Sequence, residues 1–180
     1  MKRTSAKWII LLTKFVTWAA FIGLCIKAGS LMFTFIMSVF WNPVAAKDLY
    51  LGLDLSALQS LDQFYYICLV WLVIATTALK AFLFYLAVRI FDKINFNQPF
   101  CETLVLLIRN ISFVALLTSS MIYLTNKYSD QLIAKGINLS SLSPHLTGAS
   151  EFLFLAGIVF VISLVFRKGI EIQEENQLTV

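Results

Sequence analysis

FYYICLVWLVIATTALKAFLFYLAVRI, residues Phe64 to Ile90, carries only Lys80 and Arg89 as charged residues. A helix needs about 20 predominantly apolar residues to cross the roughly 30 Å hydrocarbon core of a bilayer, and this stretch exceeds that length. Three further runs qualify or nearly qualify: Trp8 to Trp41, Thr103 to Leu124 and the shorter Phe152 to Phe166. The chain is 59% hydrophobic and 13% charged, where a soluble domain holds about 45–50% apolar and about 25% charged residues. The expected fold is therefore an all-α integral membrane protein, a four-transmembrane-helix bundle. It forms one domain over residues 1–180, with spans at about 8–41, 64–90, 103–124 and 152–166.

Each span has its own difficulty. The first ends at Asn42-Pro43, where the residue before proline is pushed out of helical geometry. At about 1.5 Å per residue it would reach about 50 Å, so it must tilt, project from the bilayer or bend near Gly29-Ser30. The third carries Arg109, yet about a dozen Leu, Ile, Val and Phe at roughly −0.3 to −0.6 kcal/mol each outweigh an arginine at roughly +3 kcal/mol. A turn at Asn95 to Pro99 precedes it. The fourth is short, a shortfall met by local thinning or by snorkelling of Arg167 and Lys168.

The net charge of +4 comes from basic residues grouped at the ends of apolar runs, the pattern of membrane anchoring rather than nucleic-acid binding. Lys2, Arg3, Lys7, Arg89, Lys93, Arg167 and Lys168 fall on one side of a four-crossing scheme. The other side holds Lys47, Lys127 and Lys135 with the acids Asp48, Asp54 and Asp62. This asymmetry predicts cytoplasmic termini, N-in and C-in, in a cell inner membrane. Lys14 interrupts the first apolar run and no small-x-small site follows, so a cleaved signal is not expected. In the loops, Asp54 to Leu61 has a capping residue and leucines at helical spacing, which predicts a short interfacial helix. The segment 126–150 holds Gly136, Pro144 and several serines and reads as a loop with one helical turn near Gln131 to Lys135.

Intramembrane charges carry the chemical signal, because each is costly in hydrocarbon and tends to face a partner or a wet cavity. Lys14, Lys27, Lys80 and Arg109 lie within the predicted spans, with no Asp or Glu beside them. Two readings stand. Lys14, Lys80 and Arg109 lie within about ten residues of the predicted cytoplasmic boundary and can snorkel to headgroup phosphates. Alternatively Lys27, Lys80 and Arg109 line a cationic cavity for an anionic lipid or ligand. Lys27, near the middle of its helix, is expected to face hydroxyls such as Thr76, Thr77, Ser119 or Ser120. Asn110 and Ser112 suit interhelical hydrogen bonding, while the small-residue pairs Ala19/Gly23 and Thr77/Ala81 suit close helix approach.

Catalytic patterns are absent from the sequence: His145 is the one histidine, and no HExxH, GxSxG or CxxC motif accompanies it. Cys25, Cys68 and Cys101 suggest neither a disulfide framework nor a metal site. No enzymatic activity, no cofactor and no metal is expected.

The C-terminal text Phe166-Arg167-Lys168-Gly169 through Glu174-Glu175-Asn176-Gln177-Leu178-Thr179-Val180, with Pro99-Phe100 before the third span, resembles a family of small bacterial four-helix membrane proteins catalogued as a domain of unknown function. Gln98 stands where the family's turn usually has glycine. Genes of that family often lie beside an Xre-type helix-turn-helix regulator. The resemblance therefore implies a regulatory or sensory membrane partner of a cytoplasmic DNA-binding protein, with Glu171, Glu174, Glu175, Asn176 and Leu178 as a candidate partner-binding tail that also has the option of folding back onto Arg109 and Lys80. Expected partners are membrane lipids, such a regulator and a second copy of the chain, with no direct nucleic-acid contact. The alternative function is a small transporter or anionic-lipid-binding protein using the intramembrane cations.

Overall fold

A computed structural model describes the backbone of residues 2–93 and 101–178 and the side chains of 8–93 and 101–175. The turn at Asn95 to Pro99, the Pro99-Phe100 motif, the side chains of Lys2, Arg3 and Lys7 and those of the terminal Asn176 to Val180 lie outside the described residues. Among the described residues every regular element is helical: α1 (Lys2–Phe40), α2 (Ser56–Leu61), α3 (Gln63–Lys93), α4 (Glu102–Ala134) and α5 (Ala149–Leu178), with 3-10 turns at Pro43–Lys47 and Ser143–His145. Four of these are long and apolar enough to cross a membrane. The protein is a multi-pass membrane protein built as a helical bundle.

α1 packs on α3, α3 on α4, and α4 on α5. In their most apolar windows 44% of α3 and of α4 is buried, against 6% of α1 and 11% of α5. The α3–α4 hairpin is thus the centre, and α1 and α5 are flanks whose exposed Leu11, Phe15, Ile22, Phe154, Val161 and Val165 suit lipid contact. Ala19 and Gly23 are exposed, and a Cβ added at Gly23 would meet no atom within 4 Å. Thr77 and Ala81, the second small pair, are buried.

Two apolar cores hold the bundle. The larger lies where the loops gather, here called the loop end. There Leu31 and Phe35 of α1, Tyr66, Leu69, Val70 and Val73 of α3, and Leu132 of α4 enclose Leu49, Leu53, Leu55, Leu58, Leu139, Leu142 and Leu146. Backbone and side-chain hydrogen bonds close this cap. Thr34 Oγ1 donates to Leu49 O at 2.7 Å, Gln59 Nε2 to Ser38 O at 2.8 Å, and Ser141 Oγ to Asp54 O at 2.9 Å. The smaller core joins α3, α4 and α5 through Leu83, Leu86, Leu107, Ile111, Val114, Ala115 and Ala156.

α1 is unbroken through Gly29-Ser30, and its last turns pack into the cap. It stops at Phe40, with Trp41 and Asn42 N–H both on Met37 O, and Asn42 Oδ1 accepts from Val44 N at 3.0 Å to start the 3-10 turn. Within the stretch 54–61, where the sequence predicts a short helix, α2 forms over Ser56–Leu61. Asp54 Oδ1 accepts from the Ser56 hydroxyl at 2.7 Å and from its N–H at 2.9 Å, and these bonds, the hydroxyl first, hold the carboxyl below the usual carboxylate range.

Two sequence expectations need correction. Residues 126–134 are not loop: α4 continues to Ala134. Its real stop is Gly136 at φ +86°, where Gly136 N bonds Ile133 O and Ile137 N bonds Leu132 O, the double bond pattern of a Schellman end that favours glycine. The fourth helix is not short either, since α5 runs on past Arg167 to Leu178.

Polar bonds register α5 on α4. Ser112 Oγ donates to Ala156 O at 2.8 Å and Ser119 Oγ to Ala149 O at 2.6 Å, so Ser112 has the interhelical role its sequence position suggested. Interhelical hydrogen bonds in membranes average about 0.6 kcal/mol. The Ser112→Ala/Ser119→Ala double variant is therefore expected to lose about 1–2 kcal/mol in a reversible unfolding titration in mild detergent while keeping its helix content.

Candidate functional site

The four intramembrane cations do not form one stripe. Lys14 of α1 pairs with Asp92 near the end of α3, so this lysine has an acidic partner that lies just beyond the predicted span. The pair fixes the start of α1 beside the end of α3, at what is here called the terminal end.

Arg109 is at the terminal end too. It lines a groove of about 420 Å³ between α4 and α5 with Glu102, Leu106, Arg167, Glu171 and Glu174. Long side chains on a helix lean toward its N-terminus, so Arg109 leans toward the start of α4, as snorkelling requires. Within α5, Lys168 Nζ donates to Glu171 Oε2 at 2.9 Å, and Arg167 Nε lies 3.9 Å from Glu171 Oε1. These one-turn pairs continue the helix beyond its apolar part. Glu171 and Glu174 thus share the groove with Arg109, not with Lys80. Asn110 is exposed, as is Glu175.

Lys27 and Lys80 sit at the opposite end of the membrane-spanning section. Lys80 Nζ donates to Thr147 O at 3.3 Å and lies 5.6 Å from the centre of the Phe152 ring. About 22 Å of α5 separates Phe152 from Arg167 at 1.5 Å per residue. Lys80 is therefore a loop-end residue, which corrects its sequence placement near the cytoplasmic boundary. The sequence count measured it along its own helix and had no neighbour to fix the depth.

Lys27 does not turn to the hydroxyls expected for it. Thr76 and Thr77 donate to the carbonyls of Leu72 and Val73 on their own helix, Ser120 to that of Leu116, and Ser119 to that of Ala149. Lys27 Nζ lies instead over the Tyr50 ring, 5.6 Å from its centre. Cation–π contact partly offsets the desolvation of an ammonium.

His145, the one histidine and without a catalytic motif in the sequence, belongs to this neighbourhood. It ends the 3-10 turn two residues before Thr147, and Lys27 and Lys80 both act electrostatically on its ring. Its Nδ1 is buried and has no hydrogen-bond partner among the described residues. No signal in the sequence linked it to lysines far away along the chain. Among the described residues no three His, Cys, Asp or Glu side chains gather as a metal site, and the three cysteines are free.

A family model described as a protein of unknown function (DUF2975) matches residues 54–180. The chain belongs to this family. The DUF2975 match begins at Asp54 and takes in α2 to α5, so Lys80, Arg109, His145 and the Glu171 groove fall inside the matched segment, whereas α1 with Lys14 and Lys27 precedes it. No curated protein and no solved structure matches the chain.

Proposed function

We propose that this DUF2975 protein is a regulatory or sensory component of a bacterial inner membrane, with both termini in the cytoplasm, that holds and releases a cytoplasmic DNA-binding protein of helix-turn-helix type. In this reading it catalyses no reaction and touches no nucleic acid itself. The observation that carries the proposal is the groove at the terminal end, where α5 outruns its apolar part as a helix and sets Glu171 and Glu174 beside Arg109 and Arg167. DNA-binding proteins are rich in basic residues, and a mixed-charge groove with an acidic rim is complementary to such a surface. The folded loop-end cap, on the other side of the bilayer in this topology, supplies a surface for a signal. Long continuous helices running between the two ends supply the connection.

The test is site-specific crosslinking from Gln173 in the full-length protein in its native membrane, followed by identification of the captured species. A helix-turn-helix protein is expected on the wild-type bait, with capture falling at least fivefold on Glu171→Lys/Glu174→Lys. Equal capture by the charge-reversed bait, or capture of no DNA-binding protein, overturns the reading.

A further inference from the structure

The loop end holds a positive charge that takes part in no ion pair among the described residues. Ion pairs form at Lys14–Asp92, Arg167–Glu171 and Lys168–Glu171. Neither Lys27 nor Lys80 takes part in them. Lys80 bonds Thr147 O, two residues from His145, and both lysines are half-buried. Glu151, the nearest acid along α5, is exposed and accepts from Ser150 Oγ at 3.0 Å. Placing two like charges and an imidazole together at the edge of hydrocarbon costs free energy unless a counter-charge arrives from outside.

The depth of the cluster says what can reach it. Lys27 lies about 28 Å along α1 from Trp8, close to the roughly 30 Å thickness of a hydrocarbon core. The Lys14–Asp92 pair aligns α1 and α3 with each other. From it, Lys27 is about 20 Å up α1 and Lys80 about 18 Å up α3 at 1.5 Å per residue, so the two lysines share one level. With the crossing of α1 starting at Trp8, that level is where lipid phosphates of the loop-side leaflet sit, and it is within reach of anions from the water beyond.

We propose that Lys27, Lys80 and His145 form a binding site for a phosphate-bearing anion at the loop end of the membrane-spanning section. The donors come from three elements. Thr147 O takes one hydrogen of the Lys80 ammonium at 3.3 Å, leaving two of its three donors for a ligand. Lys27 adds a second ammonium, and His145, whose buried Nδ1 has no partner among the described residues, stands two residues from Thr147. A phosphoryl group offers several strong acceptor oxygens to converging donors and one or two negative charges to balance the lysines, and ammonium groups suit it as point charges. The rings of Tyr50 and Phe152, each 5.6 Å from a lysine nitrogen, keep the ammonium groups from swinging away. The site stands apart from the terminal-end groove and does not depend on the regulatory reading.

The phosphate has two sources, a lipid headgroup or a free anion, and the test separates them. The purified full-length protein in neutral detergent is unfolded thermally in three conditions: with inorganic phosphate against chloride at equal ionic strength, with added phosphatidylglycerol, and with the matching diacylglycerol. The wild type is expected to be stabilised by phosphatidylglycerol and not by diacylglycerol if the source is lipid, and by inorganic phosphate as well if the site takes free anions. In Lys27→Gln/Lys80→Gln the half-saturating concentration should rise at least tenfold, while Lys47→Gln/Lys127→Gln, which removes the same charge from exposed positions, should respond like the wild type. If the first double variant does not fold, His145→Ala and Lys80→Gln singly should each weaken the response at least threefold. Absence of any response in the wild type, or an undiminished response in the folded Lys27, Lys80 and His145 variants, overturns the site.

Discussion

Tyr66→Ala is expected to lower the stability of the protein by about 3–5 kcal/mol, the range for removing a buried aromatic side chain. Tyr66 is completely buried at the centre of the loop-end core, with its ring 6.0 Å from that of Phe35. Its hydroxyl lies 2.6 Å from Ser38 Oγ. Ser38 has one hydroxyl hydrogen and gives it to Phe35 O at 2.8 Å, so the tyrosine is the donor of the pair. Alanine would remove the ring, open a cavity between α1 and α3 and leave Ser38 Oγ without its donor. Tyr66→Phe keeps the volume and should lose only about 0.5–1.5 kcal/mol, the net worth of one hydrogen bond. Reversible unfolding in mild detergent checks both. A cap held together by burial requires the alanine variant to be at least twice as destabilised as the phenylalanine one, and equal losses would contradict it.

Ala115→Leu should have the second largest effect, about 1–3 kcal/mol of overpacking. Ala115 is fully buried on α4 in the cluster that holds Ala156 of α5, between the two serines that bond α5 carbonyls. Extra methylenes there push α5 off its partner and stretch both hydrogen bonds. The paired control is Leu117→Ala on the same helix. Leu117 is 42% exposed and, facing lipid, should change stability by less than about 0.5 kcal/mol. Equal effects at the two positions, read in the same unfolding assay, would mean that α5 does not pack on the Ala115 face.

The spans were legible because hydropathy alone decides what enters a bilayer, and α2 was legible from Asp54 and the leucine spacing. The continuation of α4 was not. From Thr125 to Ala134 its inward positions include Thr125 and Ser129, both buried, so the apolar stripe that would announce a helix is interrupted by hydroxyls. The extension of α5 was hidden for a related reason. Beyond Phe166 its helix is supported by Arg167, Lys168 and Glu171 pairing along one face, which hydropathy reads as the end of a span. For the candidate site, the importance of Lys27 and Lys80 was legible as charge in apolar sequence. Their separation from Arg109 and their company with His145 depend on how three helices align in depth, which only the Lys14–Asp92 and Lys80–Thr147 contacts reveal.

The account rests on a bundle whose terminal end and loop end lie on opposite sides of one bilayer. Single-cysteine labelling in intact cells tests this most directly, with Cys25, Cys68 and Cys101 replaced by alanine and one cysteine introduced by Ser60→Cys at the loop end or Lys168→Cys at the terminal end. A membrane-impermeant maleimide should label the Ser60→Cys protein in intact cells and the Lys168→Cys protein only after the membrane is opened. Labelling of both positions from outside, or protection of both until lysis, would contradict the four-crossing arrangement.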